Sequence, residues 1–526
     1  MLYHLSPFNG AAEVRSYRPT SKNLNKGVQY MAQIVKLSPE QLKVLRTVDE
    51  RMVSYNVEMT EVTGGTFWKA YTAAQVDGIE EFLPPDPRDM GNLHQWYDPI
   101  DTTNPRLLKL AKAIGPAWIR VSGTWANKTY YDFEDKYPAG TAPEGYQNVL
   151  KKHQWNNLLD FVKAVGGKLQ ISFANCEGNH HAHEPWDTAQ AKLIMDYSRD
   201  YGVPVEAVEF TNEPNILTYT GLPAGYTTEH FGRDHDIMTK FIRENYPGVL
   251  IVGPCCVGEV TIGPTDEATG GGMYKMVSSD DMMEHTTEPI DVFCYHYYNG
   301  VSERGAAMGN NHWDFSQILT EKYLAKVSKH TEYYCPLRDK HAPGAQIWVT
   351  EAGDAGCGGN TWASTYADVP RTLNELGCFS YATDGVIFHN TLASSDYGWL
   401  KHGTFVPRPN YFAVKLWNQL MGTTVYDCGE EIREGAHVFC HSRRDGKDGC
   451  VYLIINNSEE VTTVELPKAA EVYALTGNGK LRSRTMLLNG NELVLGESDE
   501  LPELSGRPVC AGTMEVAPGG CTFIVL

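Results

Sequence analysis

The sequence predicts an α/β chain, a (β/α)8 TIM barrel with a C-terminal antiparallel β-sandwich domain. Three observations lead there. Before Met421-Gly422, short apolar runs alternate with helix-period patterns, whereas beyond it the runs are β-rich and separated by turns. The runs of the first part number eight; strands alternating with helices mark parallel βαβ units, and eight such units close a barrel. The rival, an open doubly wound sheet, usually carries a glycine-rich phosphate loop after its first strand. Glu58-Met59-Thr60-Glu61-Val62-Thr63-Gly64-Gly65 is not one.

In chain order, residues 1–50 form an N-terminal segment with a strand-like run at 28–37. That run is expected to join the sandwich, because the termini of compact chains lie close together. Residues 51–420 are expected to be the catalytic barrel, with strands at 53–58, 118–122, 168–173, 207–211, 249–252, 290–296, 346–351 and 385–389. Helices fall between them. Asn104-Pro105 is an N-cap with proline at the first helical position, followed by a stripe of Leu107, Leu108, Ala111 and Ile114. Trp155, Leu158, Leu159, Val162 and Val165 repeat the helical spacing until Gly166-Gly167 stops it. The sandwich is expected over 421–526, with strands at 451–455, 461–466 and 522–526 and turns at Asn478-Gly479 and Asn489-Gly490.

Composition narrows the function. Of 526 residues, 42% are hydrophobic and 21% charged, which excludes disordered and collagen-like classes. Lys and Arg total 45 against 65 Asp and Glu, a net charge of −20, which repels phosphate backbones and anionic headgroups. Nucleic acid and membrane are therefore not expected as partners, and the oligomeric state is left open. The aromatic supply suits rings that stack on sugar faces, and equally suits a large core. Twelve cysteines occur without CxxC pairs, so reduced and mostly buried thiols are expected. With no basic and apolar leader at residues 1–10, a cytoplasmic location is expected, or a secreted or periplasmic one if a leader was removed.

Barrel enzymes place their chemistry at the C-terminal ends of the strands. The fourth predicted strand ends in Asn212-Glu213-Pro214-Asn215 and the seventh in Glu351. Strands four and seven nearly oppose each other, so both carboxylates can face one pocket. A pair about 5–5.5 Å apart supports double displacement at an anomeric carbon, one acting as acid/base and one as nucleophile. A lone strand-end Glu is as often half of a salt bridge; the coupled pair is the informative signal. Asn212 is placed to bond a sugar 2-hydroxyl. Tyr295-His296-Tyr297-Tyr298 closes the sixth strand, where a phenol can donate to a carboxylate, or merely line an aromatic rim. Arg120 either neutralises charge beneath the site or forms a buried ion pair. His180-His181-Ala182-His183-Glu184 has metal-like composition but lacks the i, i+4 spacing of a zinc helix, so neither metal nor cofactor is expected. The sequon Asn127-Lys128-Thr129 matters only in a secreted protein.

These residues carry a resemblance. Trp118-Ile119-Arg120-Val121-Ser122-Gly123-Thr124, Asn212-Glu213-Pro214-Asn215, His296-Tyr297-Tyr298 and Trp348-Val349-Thr350-Glu351 resemble glycoside hydrolase family 79, retaining glycosidases that include β-glucuronidases and heparanase-like enzymes. The similarity continues through Gly356-Cys357-Gly358-Gly359-Asn360, Asp396-Tyr397-Gly398 and Pro409-Asn410-Tyr411-Phe412, covering roughly residues 50–425. It implies that Glu213 is the acid/base and Glu351 the nucleophile. It implies that His296 and Tyr298 border the sugar. It also implies that Gly358, Gly359 and Asn360 lie in a loop whose amides hold a glucuronate carboxylate, joined by the phenol of Tyr397. Asn175 and Glu61 would face the hydroxyls of the nonreducing sugar. Two departures stand out: Cys357 interrupts the glycine run, and Trp125-Ala126-Asn127-Lys128 replaces a more basic segment.

The expected function is a retaining exo-β-glucuronidase whose partner is a carbohydrate glucuronide. An endo-acting, heparanase-like or neutral-sugar glycosidase is the alternative, and a noncatalytic carbohydrate-binding barrel the third. Presence of both glutamates argues against the last, and the acidic balance argues against a sulfated polymer.

Overall fold

The computed structural model describes residues 34–83, 91–138, 140–218, 220–260, 276–306, 312–430, 432 and 434–526, all within one compact unit, Gln33–Leu526. Eight parallel strands, β1 (Val53–Glu58), β2 (Trp118–Ser122), β3 (Lys168–Ser172), β4 (Val205–Glu209), β5 (Leu250–Cys256), β6 (Val292–Val301), β7 (Gln346–Gly356) and β8 (Ile387–His389), close into a barrel in that cyclic order. The helix signals behave as their chemistry requires. The Asn104 side chain accepts from Arg106 N at 3.0 Å and Leu107 N at 3.3 Å, opening the helix Pro105–Ile114. The helix Lys152–Val165 stops at Gly166, whose φ of 66° costs a glycine nothing.

Two differences from the expected boundaries shape the site. β6 and β7 run on past His296 and Glu351 because their ends pair with each other, Tyr298 with Gly353 and Val301 with Gly356, above the rim. The strand therefore takes in Gly353 and Gly356, and the glycine loop begins only at Cys357. β4, by contrast, stops at Glu209, and the Asn212-Glu213 segment leaves the ladder with Glu213 at φ 49°.

The barrel interior is layered. Trp118, Val252, Val292, Cys294, Trp348 and Phe388 form an apolar plug at the lower end, with Trp118 and Trp348 rings 5.1 Å apart. One pleat repeat above Trp118 on β2 comes Arg120, and above it the strand-seven carboxylate of Glu351, to which Arg120 donates.

C-terminal to the barrel, a large antiparallel sheet runs in the order Lys43–Thr47, Met421–Asp427, His437–Arg443, Cys450–Ile455, Cys521–Val525, Ala470–Gly477, Met486–Leu488 and Asn491–Glu492. Asn489 and Gly490, at φ 51° and 86°, make the tight primed turn that joins the last two strands. The facing sheet is Ile34–Lys36, Thr462–Leu466 and Gly512–Val516. Ile34–Lys36 pairs in parallel with Thr463 to Glu465, and Lys43–Thr47 pairs antiparallel with Thr424 to Asp427. Of the run expected at 28–37, residues 28–33 lie outside the described residues. Val35, Val438, Tyr452, Ile454, Val464 and Ile524 fill the space between the sheets. The other face of the large sheet shares a continuous apolar core with the barrel, through Phe439, Val451, Leu453 and Phe523. All twelve cysteines are free and most are buried. Among the described residues, no helix is long and apolar enough to cross a membrane.

Candidate active site

A cleft of about 460 Å³ opens at the C-terminal end of the barrel, lined by Glu58, Asn212, Glu213, Tyr298, Glu351, Asn390 and Tyr397 among others. Period-two alternation on β6 sends Tyr295 and Tyr297 outward and His296 and Tyr298 inward. Tyr295 stacks on Tyr334 with centroids 4.1 Å apart, and Tyr297 meets His330 edge-on, so both belong to the barrel–helix core.

Arg120 organises the floor. Its guanidinium donates to both carboxylate oxygens of Glu209 at 3.0 Å, to Glu351 Oε1 at 2.9 Å and to Asn212 Oδ1 at 2.8 Å. The two accounts of Arg120 are thus one arrangement, a buried ion pair that also touches the strand-seven carboxylate. Arg120 Nη2 further faces His296 Nε2 at 3.3 Å. An arginine has no lone pair to offer, so Nε2 accepts and the ring proton sits on Nδ1. That Nδ1 donates to Glu213 Oε1 at 3.0 Å and lies 3.6 Å from Glu351 Oε2. The tautomer bears on metal chemistry. Glu213, His296 and Glu351 offer ligand atoms within 4.8 Å of one another, yet a metal on Nδ1 needs a proton on Nε2, where Arg120 already donates. The donor set does not fit a metal.

The two glutamates are driven apart electrostatically. Burial, reinforced by the charge of Glu351, raises the pKa of Glu213, with the His296 hydrogen bond opposing in part. Burial also penalises the Glu351 anion, but His296, Arg120 and the Tyr298 phenol, which donates to Oε2 at 2.8 Å, outweigh it and hold Glu351 below its ordinary value. One carboxyl is biased toward its protonated form and the other toward its ionised form, the division of labour that acid and nucleophile need.

Other predicted residues fall as follows. Asn212 lines the cleft, its Oδ1 fixed by Arg120. Tyr397 lines it too, and Asn390 Nδ2 donates to its hydroxyl at 3.1 Å and to that of Tyr298 at 2.9 Å. In the glycine loop the cleft is lined by Gly356 and Cys357, not by Gly358 and Gly359. Gly359 N donates to Ala355 O at 3.2 Å and is not open to a ligand, whereas the amides of Cys357 and Gly358 find no partner among the described residues. Cys357, Gly358 and Gly359 have φ of 63°, 86° and 84°, a left-handed turn. A Cβ on Gly358 would come within 2.7 Å of Trp68 Cβ and Ser395 Oγ, so glycine is required there. Two arginines, Arg304 buried and Arg408 half-buried, brace the surrounding loops. Arg304 donates to Gly359 O at 3.0 Å and Asp396 Oδ2 at 2.6 Å, and Arg408 donates to the carbonyls of Ser395, Asp396 and Gly398 at 2.8 Å each.

Three expectations are corrected. Asn360 turns away from the cleft, donating from N and Nδ2 to Asp354 at 2.9 and 2.8 Å. Asn175 is buried behind the wall, its Oδ1 2.8 Å from His180 Nε2. Glu61 is also buried and accepts from Glu58 N at 2.7 Å as a helix cap; burial lifts its pKa to about 8. The true strand-end carboxylate here is Glu58. It lines the cleft, and burial together with the Glu351 charge raises its pKa well above normal. Its place at the end of the first predicted strand was the available signal. A Cβ on Gly123 would collide with its carboxylate, so that glycine makes the room. The His180–His183 loop does not border the cleft; His180 bonds Asn175 and His181 pairs with Glu177. Asn127, dismissed as a sequon, is buried and bonds the backbone of Asn212 at both N and O, each at 2.8 Å.

Comparison with known proteins follows this geometry. Heparanase-like protein 1 of Arabidopsis thaliana is 27% identical over 483 residues, covering 81% of this chain and 85% of the relative. The hyaluronoglucuronidase of Hirudo nipponia is 26% identical over 449 residues (77% and 86%). The baicalin-β-D-glucuronidase of Scutellaria baicalensis is 22% identical over 470 residues (81% and 84%). In fold, the chain matches the 4-O-α-L-rhamnosyl-β-D-glucuronidase of Fusarium oxysporum with a TM-score of 0.61 at 12% identity, over 94% of this chain and 100% of that one. The model of the glycosyl hydrolase family 79 N-terminal domain matches residues 95–377, more than half the chain and the stretch that supplies Arg120, Glu213, His296 and Glu351, and the chain accordingly belongs to glycosyl hydrolase family 79.

Proposed function

We propose that the protein is a retaining exo-β-glucuronidase in which Glu351 attacks the anomeric carbon and Glu213 protonates the leaving oxygen, then activates water. The observation that carries this reading is the pair itself: facing carboxylate oxygens within 4.8 Å and pKa values pushed in opposite directions. Inverting enzymes keep their carboxyls about 6.5–9.5 Å apart to admit a water, so the short separation supports double displacement. Tyr298 and Arg120 hold the nucleophile ionised and oriented. With Asn212 Oδ1 committed to Arg120, its amide nitrogen is the group left to donate to the sugar 2-hydroxyl.

For the sugar itself, the Cys357 amide, unpartnered among the described residues, and the Tyr397 phenol, both on the cleft, support a carboxylate at C5, since charge-assisted hydrogen bonds are about twice as strong as neutral ones. The names of the relatives, hyaluronoglucuronidase and baicalin-β-D-glucuronidase, agree with that chemistry. One feature favours endo action instead. Trp96 is 64% exposed on the hairpin Gly65–Trp68/His94–Tyr97, on the same face as the cleft-lining Thr66, Trp68 and His94, and would extend an aromatic platform beyond the terminal sugar.

The test is a panel of aryl β-glycosides with glucuronide, glucoside, xyloside and galactoside headgroups, with the anomer of the first product followed by NMR. Preference for the glucuronide with retention is expected; preference for the glucoside refutes the glucuronate claim. Tyr397→Phe should narrow the glucuronide/glucoside ratio roughly tenfold or more, the worth of one hydrogen bond to a charged group. A uronate-containing oligosaccharide labelled at its reducing end separates the two modes: free glucuronate means exo action, internal fragments mean endo.

A further inference from the structure

The leaving group must lie on the Glu213 side of the cleft, because the general acid has to reach the departing oxygen. That side is built, among the described residues, of apolar side chains around the cation Lys128. Ile216, whose N–H bonds Glu213 O at 3.2 Å, bridges to Met276, and both line the cleft with Val257 and Trp125. The wall is fixed, since Asn215 bonds Val257 O at 2.9 Å, Val257 N at 3.1 Å and Val277 O at 3.2 Å. The cation is Lys128, which also lines the cleft. Its turn is pinned to the acid/base segment through Asn127, bonded to Asn212. Its stem crosses Gly221, where a Cβ would collide with Cγ and Cδ, and its ammonium lies 4.4 Å from the Trp125 ring centroid. Lys128 is half-buried, and burial lowers its pKa, yet no carboxylate pairs with it among the described residues. A partly desolvated ammonium set against a ring face, with no carboxylate beside it among the described residues, is a cation held ready for an anion.

We propose that this side of the cleft is a subsite for a leaving group with an apolar, preferably planar body and an acidic substituent, and that Lys128 selects the acid. Trp125, Ile216, Val257 and Met276 bury the body, and Lys128 swings from the Trp125 face to the acid. The proposal rests on the glycosidase reading above and names the leaving-group class that reading leaves open.

The experiment compares 3-carboxyphenyl and 3-carbamoylphenyl β-glucuronides, whose leaving groups differ in charge and hardly in shape. At low salt the acid should be favoured in kcat/KM by roughly two- to fivefold, chiefly through KM, as expected for a half-exposed ion pair. Added salt should shrink that ratio. Lys128→Met should collapse it and Lys128→Arg should preserve it. A wild-type ratio of one, a preference for the amide, or a ratio that survives Lys128→Met overturns the proposal; should Lys128→Met fail to fold, the arginine variant and the salt titration decide. If neither glucuronide turns over while the matching glucosides do, the glucuronate reading falls, and the acid/amide ratio is measured on the glucosides instead.

Discussion

At the scale of residues, the proposed chemistry turns on the opposite pKa shifts of Glu213, raised, and Glu351, lowered. Glu351→Gln should remove nearly all turnover with the fold intact, since volume and the Arg120 contact are largely kept. Glu213→Gln should cripple substrates with poor leaving groups far more than activated aryl glycosides, because only the former need protonation. A Glu213→Gln enzyme equally slow on both would remove the acid role. The pH profile follows from the same pair. Glu351 must be ionised, so activity falls as pH drops through its lowered pKa; Glu213 must be protonated, so activity falls as pH rises through its raised pKa. The result is a bell wider than two ordinary carboxyls allow. In Tyr298→Phe the nucleophile loses a donor, its pKa rises, and the acid limb of kcat/KM should move to higher pH, with a loss of roughly tenfold or more in rate. An unmoved acid limb would show that Tyr298 does not hold the nucleophile's charge.

At the scale of elements, the interesting segments are those that leave the barrel ladder. Glu213 has a left-handed backbone at φ 49°, a conformation a glutamate keeps only when its surroundings impose it. Asn127 is the chief restraint, bonding Asn212 N and O together with Thr211 and Thr220. Asn127→Ala leaves these buried groups unpaired and should cost about 2 kcal/mol or more of stability. It should also lower kcat while nucleophile-dependent labelling by an activated fluoro-sugar persists. Denaturant unfolding and kcat measured on one preparation check both; full activity in Asn127→Ala would show that the segment is held by other means. Arg304 and Arg408 do for the 357–359 and 395–398 loops what Asn127 does here, replacing ladder hydrogen bonds with guanidinium bridges to carbonyls.

At the scale of the whole molecule, barrel and sandwich share one hydrophobic core. Tyr366 on the barrel side donates to Leu475 O at 2.8 Å and Gly519 O at 2.9 Å in the sandwich, and Lys43–Thr47, upstream of β1, edges the large sheet. A fragment of residues 1–421 would expose the face that Phe439, Leu453 and Phe523 now cover and leave two upstream strands unpaired. Insoluble or aggregated protein is expected on expression. A soluble, active fragment would instead mark the sandwich as an independent module.

Strand order, the helix caps at Asn104 and Gly166, and the pairing of Glu213 with Glu351 were all legible in the sequence. They rest on local periodicity, on short-range capping chemistry and on the rule that barrel strands end at the active face. Long-range geometry decided the rest. Whether Glu58 or Glu61 enters the cleft depends on which one the turn after β1 buries as a cap. The reach of the Cys357–Gly359 loop depends on the β6–β7 extension, which no local pattern announces because its glycines resemble a loop. The tautomer of His296 depends on Arg120, 176 residues away in the chain. Such choices are made by hydrogen-bond partners that only folding brings together, so they belong to the tertiary structure and not to any one segment.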